Sequence, residues 1–159
     1  MTITYDIMVV DDSWHKQKNI DSIVQKAVTI ALETLNFSHI ESELSIVLSN
    51  DEEIRKINAQ WRQKDQATNV LSFPAFPLEV GQTPSIMLGD IILARETILN
   101  EAAEEKKTFE HHLTHMIVHG LLHLLGYDHE TDAEAEEMEK LEREILYRLA
   151  IDDPYAVLL

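Results

Sequence analysis

The sequence predicts a single α+β domain in which a small mixed sheet of about four strands packs with about five helices. Short β-branched runs and longer amphipathic segments follow one another in mixed order along the chain. The 159 residues contain neither repeats nor Gly/Ser-rich linkers, so residues 1–159 fit one domain with one core. Between Met116 and Leu125 the only polar side chains are two histidines, which predicts a central buried helix that carries them.

The first half of the chain alternates predicted strands and helices. The β-branched residues near the N-terminus predict an opening strand over residues 2–10. Apolar residues at helical spacing predict a helix over residues 20–35, and a second β-branched run predicts a strand over residues 43–48. Asn50 or Asp51 is a suitable N-cap for a helix over residues 52–61.

The second half begins with a predicted strand over residues 69–73, which Pro74 ends, and a loop over residues 75–84. A strand over residues 86–93 follows, and Gly89 inside it indicates a bulge or a close backbone approach. Two helices are predicted after Arg95, meeting near Lys107 or Thr108, and Gly126 is the expected C-cap of the second.

A last helix is predicted after Gly126, with Thr131 or Asp132 as its N-cap. Its apolar stripe consists of Met138, Leu141, Ile145, Leu146 and Leu149. Many of the acidic residues lie in the segment 130–144, which we interpret as a solvated helix face.

Composition limits the function further. The absence of cysteine excludes disulfides, a thiolate nucleophile and sulfur-ligated zinc, so any metal must be bound by nitrogen and oxygen. No apolar stretch is long enough to cross a membrane and the N-terminus does not resemble a secretion signal, so we expect a cytoplasmic protein with no membrane partner. The formal net charge of −16 disfavours non-specific adhesion to nucleic acid.

Histidines dominate the predicted central helix. Steps of about 100° per residue place His112, His115, His119 and His123 in one narrow stripe. Several buried imidazoles are costly unless each has a partner, and charged imidazoles repel one another. A bound metal cation resolves this, because it requires neutral imidazoles with free lone pairs.

The spacing of three histidines indicates a metal centre. His119 and His123 are one helical turn apart, and the break at Gly126 allows His129 to fold back as a third ligand. Three protein ligands with one open position are typical of catalytic zinc sites. We therefore predict one zinc ion per chain, bound by these three histidines, while nickel, copper and iron also suit imidazole ligands.

Other residues near this pattern have open alternatives. We expect His115 to be a core histidine or a residue that supports a ligand, while Asp128 either orients a ligand ring or belongs to a turn. The isolated His15 and His39 are expected on the surface. The histidine and glycine spacing matches that of the metzincin proteases, but Gly120 replaces their glutamate base, which argues against peptidase activity.

Three segments together resemble the YbeY family of bacterial endoribonucleases. They are HGLLHLLGYDH at residues 119–129, NAQWRQKDQATNVLSFP at residues 58–74, and the Gly89-Asp90-Ile91 strand motif. Their order and spacing fit that family over essentially the whole chain. The resemblance implies a metal-dependent, single-strand-specific endoribonuclease that matures the 3′ end of small-subunit ribosomal RNA and acts in ribosome quality control. It implies ribosomal RNA, the small ribosomal subunit and its proteins as partners.

The resemblance also implies that Arg62 is a functional residue, and the chemistry agrees. Phosphodiester cleavage builds negative charge on the phosphate oxygens, and a guanidinium can bind two of them at once. Without the resemblance, a surface charge at a helix end explains Arg62 equally well. Lys64 either adds to this positive charge or is an ordinary surface lysine.

Several neighbouring residues are weaker candidates. Ser72 and Thr68 either contact substrate or serve the local turn and strand, and the second is favoured. Trp61 and Phe73 either stack on unpaired bases or pack in the core, with packing favoured. Asp90 is a candidate to reach the site from its strand. The alternative function is a ribosome-assembly or RNA-binding factor in which the metal is structural.

Overall fold

The computed structural model describes residues 3–37 and 39–156, and within them four strands form one sheet that packs with five α-helices. The strands are β1 (Ile3–Val9), β2 (Ser42–Ser49), β3 (Val70–Pro74) and β4 (Met87–Ala94). The helices are α1 (Ile20–Thr34), α2 (Asp51–Arg62), α3 (Arg95–Glu104), α4 (Phe109–Leu124) and α5 (Asp132–Arg148). The predicted α+β class is therefore confirmed. Residue 2 of the predicted opening strand lies outside the described residues.

The sheet has the strand order β1-β2-β4-β3. Strands β1, β2 and β4 are parallel, and β3 runs antiparallel to β4 at the edge. The register between β2 and β4 shifts where Leu44 pairs with Gly89, so the irregularity predicted at Gly89 is present. Gly89 has a φ of +144°, and a Cβ atom there would collide with the carbonyl oxygen of Phe73.

The two faces of the sheet have separate apolar clusters. On one face, α1 and α4 cover a large core that includes Leu44, Ile46 and Ile91. On the other face, Ile54 of α2 packs in a smaller cluster with Leu71, Ile92 and Ala94. Successive side chains of a strand point to opposite faces, so neighbouring residues of β4 belong to different clusters.

Helix α4 lies in the middle of the molecule. It begins after Thr108, whose hydroxyl accepts a hydrogen bond from the His111 backbone N–H at 3.1 Å. Most of its residues are buried, as predicted for a helix that is apolar on most sides. It contacts α1, α3, α5 and strands β3 and β4. The histidines that it carries are therefore held on a rigid, well-packed element.

A short 3-10 helix over Asp12–Lys16 was not predicted. Asp11 caps it by accepting a hydrogen bond from the Ser13 backbone N–H at 2.8 Å. Trp14 is only 1% exposed and donates its indole N–H to the carbonyl oxygen of Ser49 at 2.7 Å. Five residues are too few to show a helical period in the sequence, which is why the pattern did not predict this element.

The two aromatic residues predicted to pack in the core differ in how far they are buried. Phe73 is half-buried and packs against the cluster around Ile54, so its predicted packing is confirmed. Trp61 is 68% exposed, so the packing predicted for it is wrong. It lies in the last turn of α2, whose buried side is formed by Ile54 and Asn58. Among the described residues no helix is both long and apolar enough to cross a membrane.

Candidate metal centre

The turn after α4 brings a third histidine back to the helix. Gly126 has a φ of +101°, which the helix end requires and which glycine adopts without strain. The Gly126 N–H donates to the carbonyl of His123 at 3.1 Å, and the Tyr127 N–H donates to that of Leu122 at 3.0 Å. These two bonds form a Schellman motif, which ends the helix and reverses the chain. The predicted C-cap role of Gly126 is thus confirmed, and His129 follows the reversal.

His119, His123 and His129 form a group that can hold a metal ion. One ring nitrogen from each lies within 4.8 Å of the others. The rings of His119 and His123 have centroids 4.6 Å apart, and the ring of His129 lies 5.1 Å from that of His123. Two of the three rings are half-buried and His129 is exposed, so the group opens to solvent on one side.

Hydrogen bonds fix the tautomers of two of these rings. The Nδ1 of His119 lies 2.6 Å from a carboxylate oxygen of Glu142, and the Nδ1 of His123 lies 3.0 Å from the backbone oxygen of Tyr127. Both partners are acceptors, so both Nδ1 atoms carry the hydrogen and both Nε2 atoms have free lone pairs.

The two free lone pairs fit a metal cation. The Nε2 atoms of His119 and His123 are 3.1 Å apart, a distance at which two acceptors repel unless a cation or a proton lies between them. Burial, together with the neighbouring rings of His119 and His129, lowers the pKa of His123 to about 4, which disfavours the proton. Neutral imidazoles with converging lone pairs are what a divalent metal requires.

Glu142 corrects the interpretation of segment 130–144 as a solvated helix face. Its side chain is 0% exposed and accepts hydrogen bonds from both His115 and His119. Burial would raise the pKa of its carboxyl, but the two hydrogen bonds and the electrostatic attraction to both imidazole rings together outweigh burial and lower the pKa to about 2. The sequence did contain a signal, because Glu142 occupies the apolar stripe of α5 four residues after Met138.

The other histidines of the α4 stripe also have acceptors. The Nε2 of His115 lies 2.8 Å from the second oxygen of Glu142, so this buried residue supports a ligand ring through a shared carboxylate. The Nε2 of His112 lies 2.8 Å from Glu101 on α3, away from the three-histidine group. His15 and His39 are exposed, as predicted.

The alternatives for Asp128 are resolved in favour of the turn. Its carboxylate accepts a hydrogen bond from the backbone N–H of His129 at 2.8 Å and contacts no ring nitrogen in the described residues. The hydrogen bond fixes the backbone next to a candidate ligand. Asp128 therefore positions His129 through the main chain rather than through the imidazole.

Arg62 and Lys64 line the same cleft as the three histidines. The cleft has a volume of about 670 Å³ and lies between the end of α2, strand β3 and the turn after α4. Both cations are exposed, and neither forms a salt bridge with any described residue. Because neither cation is neutralised by a described acidic residue, both are available for an anionic ligand.

The sequence of α2 explains how Arg62 reaches the cleft. Asn50 caps the helix by accepting from the Glu53 N–H at 2.8 Å, and Arg62 is the last helical residue. Asn58, which is 2% exposed, donates its side-chain amide to the carbonyl of Gln66 at 2.9 Å. The loop that carries Lys64 is thereby tied to the helix that carries Arg62.

The remaining candidates divide between the two faces of the sheet. Ser72 donates its hydroxyl to the carbonyl of Gly120 at 3.1 Å, so the structural role favoured for it is confirmed. Thr68 lines the cleft. Asp90 pairs with Phe73 and lies one residue from Ile91, which contacts α4, so its side chain points to the opposite face. The suggestion that Asp90 reaches the site is wrong.

Comparisons with known proteins agree with one another. Residues 8–150 match the family model described as Endoribonuclease YbeY. The chain is 55% identical over 156 residues to a Bartonella henselae protein named Endoribonuclease YbeY, covering 98% of this chain and 99% of that protein. A protein of the same name from Agrobacterium fabrum is 53% identical, with 94% and 93% covered. A solution structure of a Thermotoga maritima protein matches with a TM-score of 0.58 and 23% identity over 94% of this chain and 92% of that one, which supports the fold.

Proposed function

This chain belongs to the YbeY family, and from that premise we propose that it is a metal-dependent endoribonuclease that cleaves single-stranded RNA. The main support for this proposal is the set of residues that line one cleft. Three histidines that can hold a metal line it together with two cations that have no acidic partner among the described residues. A metal and a guanidinium on one surface are the groups that phosphodiester cleavage needs.

We propose that the metal is zinc, one ion per chain, held by His119, His123 and His129. The ligand set contains only imidazole nitrogens, which suits zinc, and among the described residues no fourth ligand completes the group, which leaves a coordination position open. When bound, such an ion supplies a Lewis acid for the phosphate and lowers the pKa of a coordinated water. The chain's own contribution is to orient the rings of His119 and His123 through the hydrogen bonds that their Nδ1 atoms donate.

The proposed role of Arg62 is to bind the phosphate that is cleaved. Its planar guanidinium can donate to two non-bridging oxygens, whose negative charge grows as the phosphorus–oxygen bond breaks. Lys64 adds a second positive charge at the same cleft. The hydrogen bond from Asn58 to Gln66 keeps the loop of Lys64 against the helix end of Arg62, so both cations are pre-positioned.

Unpaired RNA is the proposed substrate because aromatic surface lies beside the cationic groups. Trp61 directly precedes Arg62 in the chain and is exposed, whereas Phe73 lines the cleft as a half-buried residue that packs on the Ile54 cluster. Exposed aromatic rings bind single strands by stacking on splayed bases, which a duplex does not offer. The exposure of Trp61, which contradicted its predicted packing, is therefore consistent with base stacking.

We further propose that the substrate is ribosomal RNA, cleaved at the 3′ end of the small-subunit RNA and during ribosome quality control in the cytoplasm. The net charge of −16 supports a protein-assisted encounter, because so acidic a surface repels free RNA. Membership of the YbeY family is the reason that we propose the small ribosomal subunit and its proteins as the partners. Docking on a protein would bring the cleft with Arg62 and Lys64 to a selected strand.

The test measures metal content and cleavage on the same purified samples of wild type, Arg62→Ala and Lys56→Ala. Lys56 is an exposed cation on the same helix that pairs with Glu52 and Glu53, outside the cleft, so it is the matched control. We expect about one metal per chain in all three proteins. Cleavage of a single-stranded RNA should fall on the order of 100-fold in Arg62→Ala alone.

Two outcomes would contradict the proposal. Equal residual cleavage in all three metallated proteins would indicate a contaminating nuclease and would favour an assembly or RNA-binding factor with a structural metal. A wild type that binds no divalent metal under any loading condition would remove the metal-dependent mechanism itself.

A further inference from the structure

The side chains behind the metal ligands form a buried network that the proposed mechanism does not use. Glu142 lies at its centre, fully buried between α4 and α5, with both carboxylate oxygens occupied. One oxygen accepts from His119 and the other from His115. A buried carboxylate is costly unless it is fully hydrogen-bonded, so this arrangement requires a reason beyond packing.

A residue after the last helix completes the network. Tyr155 donates its hydroxyl hydrogen to the same carboxylate oxygen of Glu142 that His115 contacts. Its hydroxyl oxygen also lies 3.5 Å from the Nε2 of His115. The Tyr155 ring is set edge-on to the His115 ring, with centroids 5.7 Å apart. The segment that follows α5 thus reaches back to the group that holds a candidate metal ligand.

This segment is anchored at several points. Asp153 accepts from the Tyr155 backbone N–H at 2.8 Å and forms an ion pair with Arg143 at 3.3 Å. The guanidinium of Arg143 also lies over the Tyr155 ring, 5.4 Å from its centroid. Arg143 of α5 therefore holds the segment at two points, the Asp153 carboxylate and the Tyr155 ring, while the Tyr155 hydroxyl reaches Glu142.

We propose that Glu142 and Tyr155 are positioning residues of the metal centre, which hold His119 with its Nε2 directed at the metal. Glu142 fixes the ring by accepting the Nδ1 hydrogen, and Tyr155 fixes Glu142. Carboxylates behind metal-bound histidines set the ring orientation and increase ligand basicity. Neither residue is among those that line the cleft, so their effect acts through His119. This inference rests on the metal centre of the proposed function.

Cobalt binding separates this role from a structural one. Co²⁺ is added to metal-free samples of the full chain, and its dissociation constant and visible absorption spectrum are measured with a competing chelator. The variants are Glu142→Gln, Tyr155→Phe and, as the control, Glu144→Gln, which makes the same chemical change at an exposed position of α5. Thermal unfolding of each metal-free sample reports the structural effect separately.

We expect Glu142→Gln to weaken cobalt binding about 10- to 100-fold and to change the spectrum. Tyr155→Phe keeps the ring, which is 37% exposed, and should weaken binding by up to about 10-fold with little loss of stability. Glu144→Gln should bind like wild type. Because Tyr155→Phe removes only one hydroxyl, it tests the inference even if Glu142→Gln folds poorly.

Two results would overturn the inference. If both variants bind cobalt with wild-type affinity and spectrum, and differ only in metal-free stability, the network is structural and the positioning role is wrong. If the wild type itself binds no cobalt, the proposed metal centre is wrong, and the positioning role inferred from it is wrong as well. The first result leaves the proposed function intact, so the two failures are distinguishable.

Discussion

A Cβ atom on Gly120 of α4 would lie 3.0 Å from the Cγ2 atom of Ile91 on β4. The helix is drawn against the sheet at this point, where the Ser72 hydroxyl also donates to the Gly120 carbonyl. Gly120 is the position at which metzincin proteases carry their glutamate base. The packing of α4 on the sheet would therefore crowd a side chain at this position, where this sequence has none.

We expect Gly120→Glu to destabilise the fold by more than about 3 kcal/mol, because it combines overpacking with an unpaired carboxylate against the sheet. His111→Glu introduces the same side chain at an exposed position of α4 and should change stability little. Denaturant unfolding of both variants measures the difference. Similar unfolding midpoints for the two variants would show that the helix can move away from the sheet at little cost.

Gly126→Ala should weaken metal binding as well as stability. The residue has a φ of +101°, and a Cβ atom there would lie 2.6 Å from the carbonyl oxygen of Leu78. The chain reversal that carries His129 would have to shift. Cobalt or zinc titration should show at least a 10-fold loss of affinity, whereas Gly81→Ala, which has a positive φ but nothing within 4 Å, should retain wild-type affinity.

Zinc should stabilise the folded protein through its three ligands. A ligand that binds only the folded state stabilises by about 2.7 kcal/mol at 100 times its dissociation constant. We therefore expect the melting temperature of wild type and of His111→Ala to rise with added zinc, and that of His123→Ala not to rise. An equal rise in all three proteins would place the bound zinc elsewhere.

The metal-free protein should lose stability as the pH falls from about 6.5 towards 4. The pKa of His123 is lowered to about 4 by burial and by the rings of His119 and His129, while its unfolded value is near 6.5. In this window the unfolded chain takes up a proton that the folded chain does not, so acid favours unfolding. Burial lowers the pKa of His115 in the same direction.

Urea denaturation between pH 7 and pH 4.5, in the presence of a chelator, tests this dependence. His123→Asn removes one titrating ring, so its stability should fall less steeply with decreasing pH than that of wild type. Identical slopes would mean that the ring is protonated equally in the folded and unfolded states.

Local signals in the sequence were enough to predict most of the secondary structure. The predicted boundaries of α2 depended on Asn50 and those of α4 on Gly126, and both residues form the expected caps. Such signals depend only on neighbouring residues, so they can be read without tertiary information. The closeness of His119, His123 and His129 could be predicted for the same reason. One helical turn separates the first two, and the chain reversal at Gly126 brings the third back to them.

Long-range relationships were harder to predict. Glu142 lies 23 residues from His119, and a glutamate in an acidic helix is normally solvated, so its burial depends on how α5 packs against α4. The face of the sheet to which the Asp90 side chain points depends on how the side chains of β4 alternate after the irregularity at Gly89. The exposure of Trp61 depends on which side of α2 meets the sheet.

The two tryptophans of this chain occupy opposite environments, which makes each one an intrinsic fluorescent reporter. Trp14 is sealed in the core and hydrogen-bonded to Ser49, so its emission should be blue-shifted and should change when the core unfolds. Trp61 is solvated beside Arg62, so its emission should be red-shifted and open to quenching by small solutes. A bound nucleobase that stacks on Trp61 should quench only the red component, giving an optical assay of RNA binding that requires neither label nor cleavage.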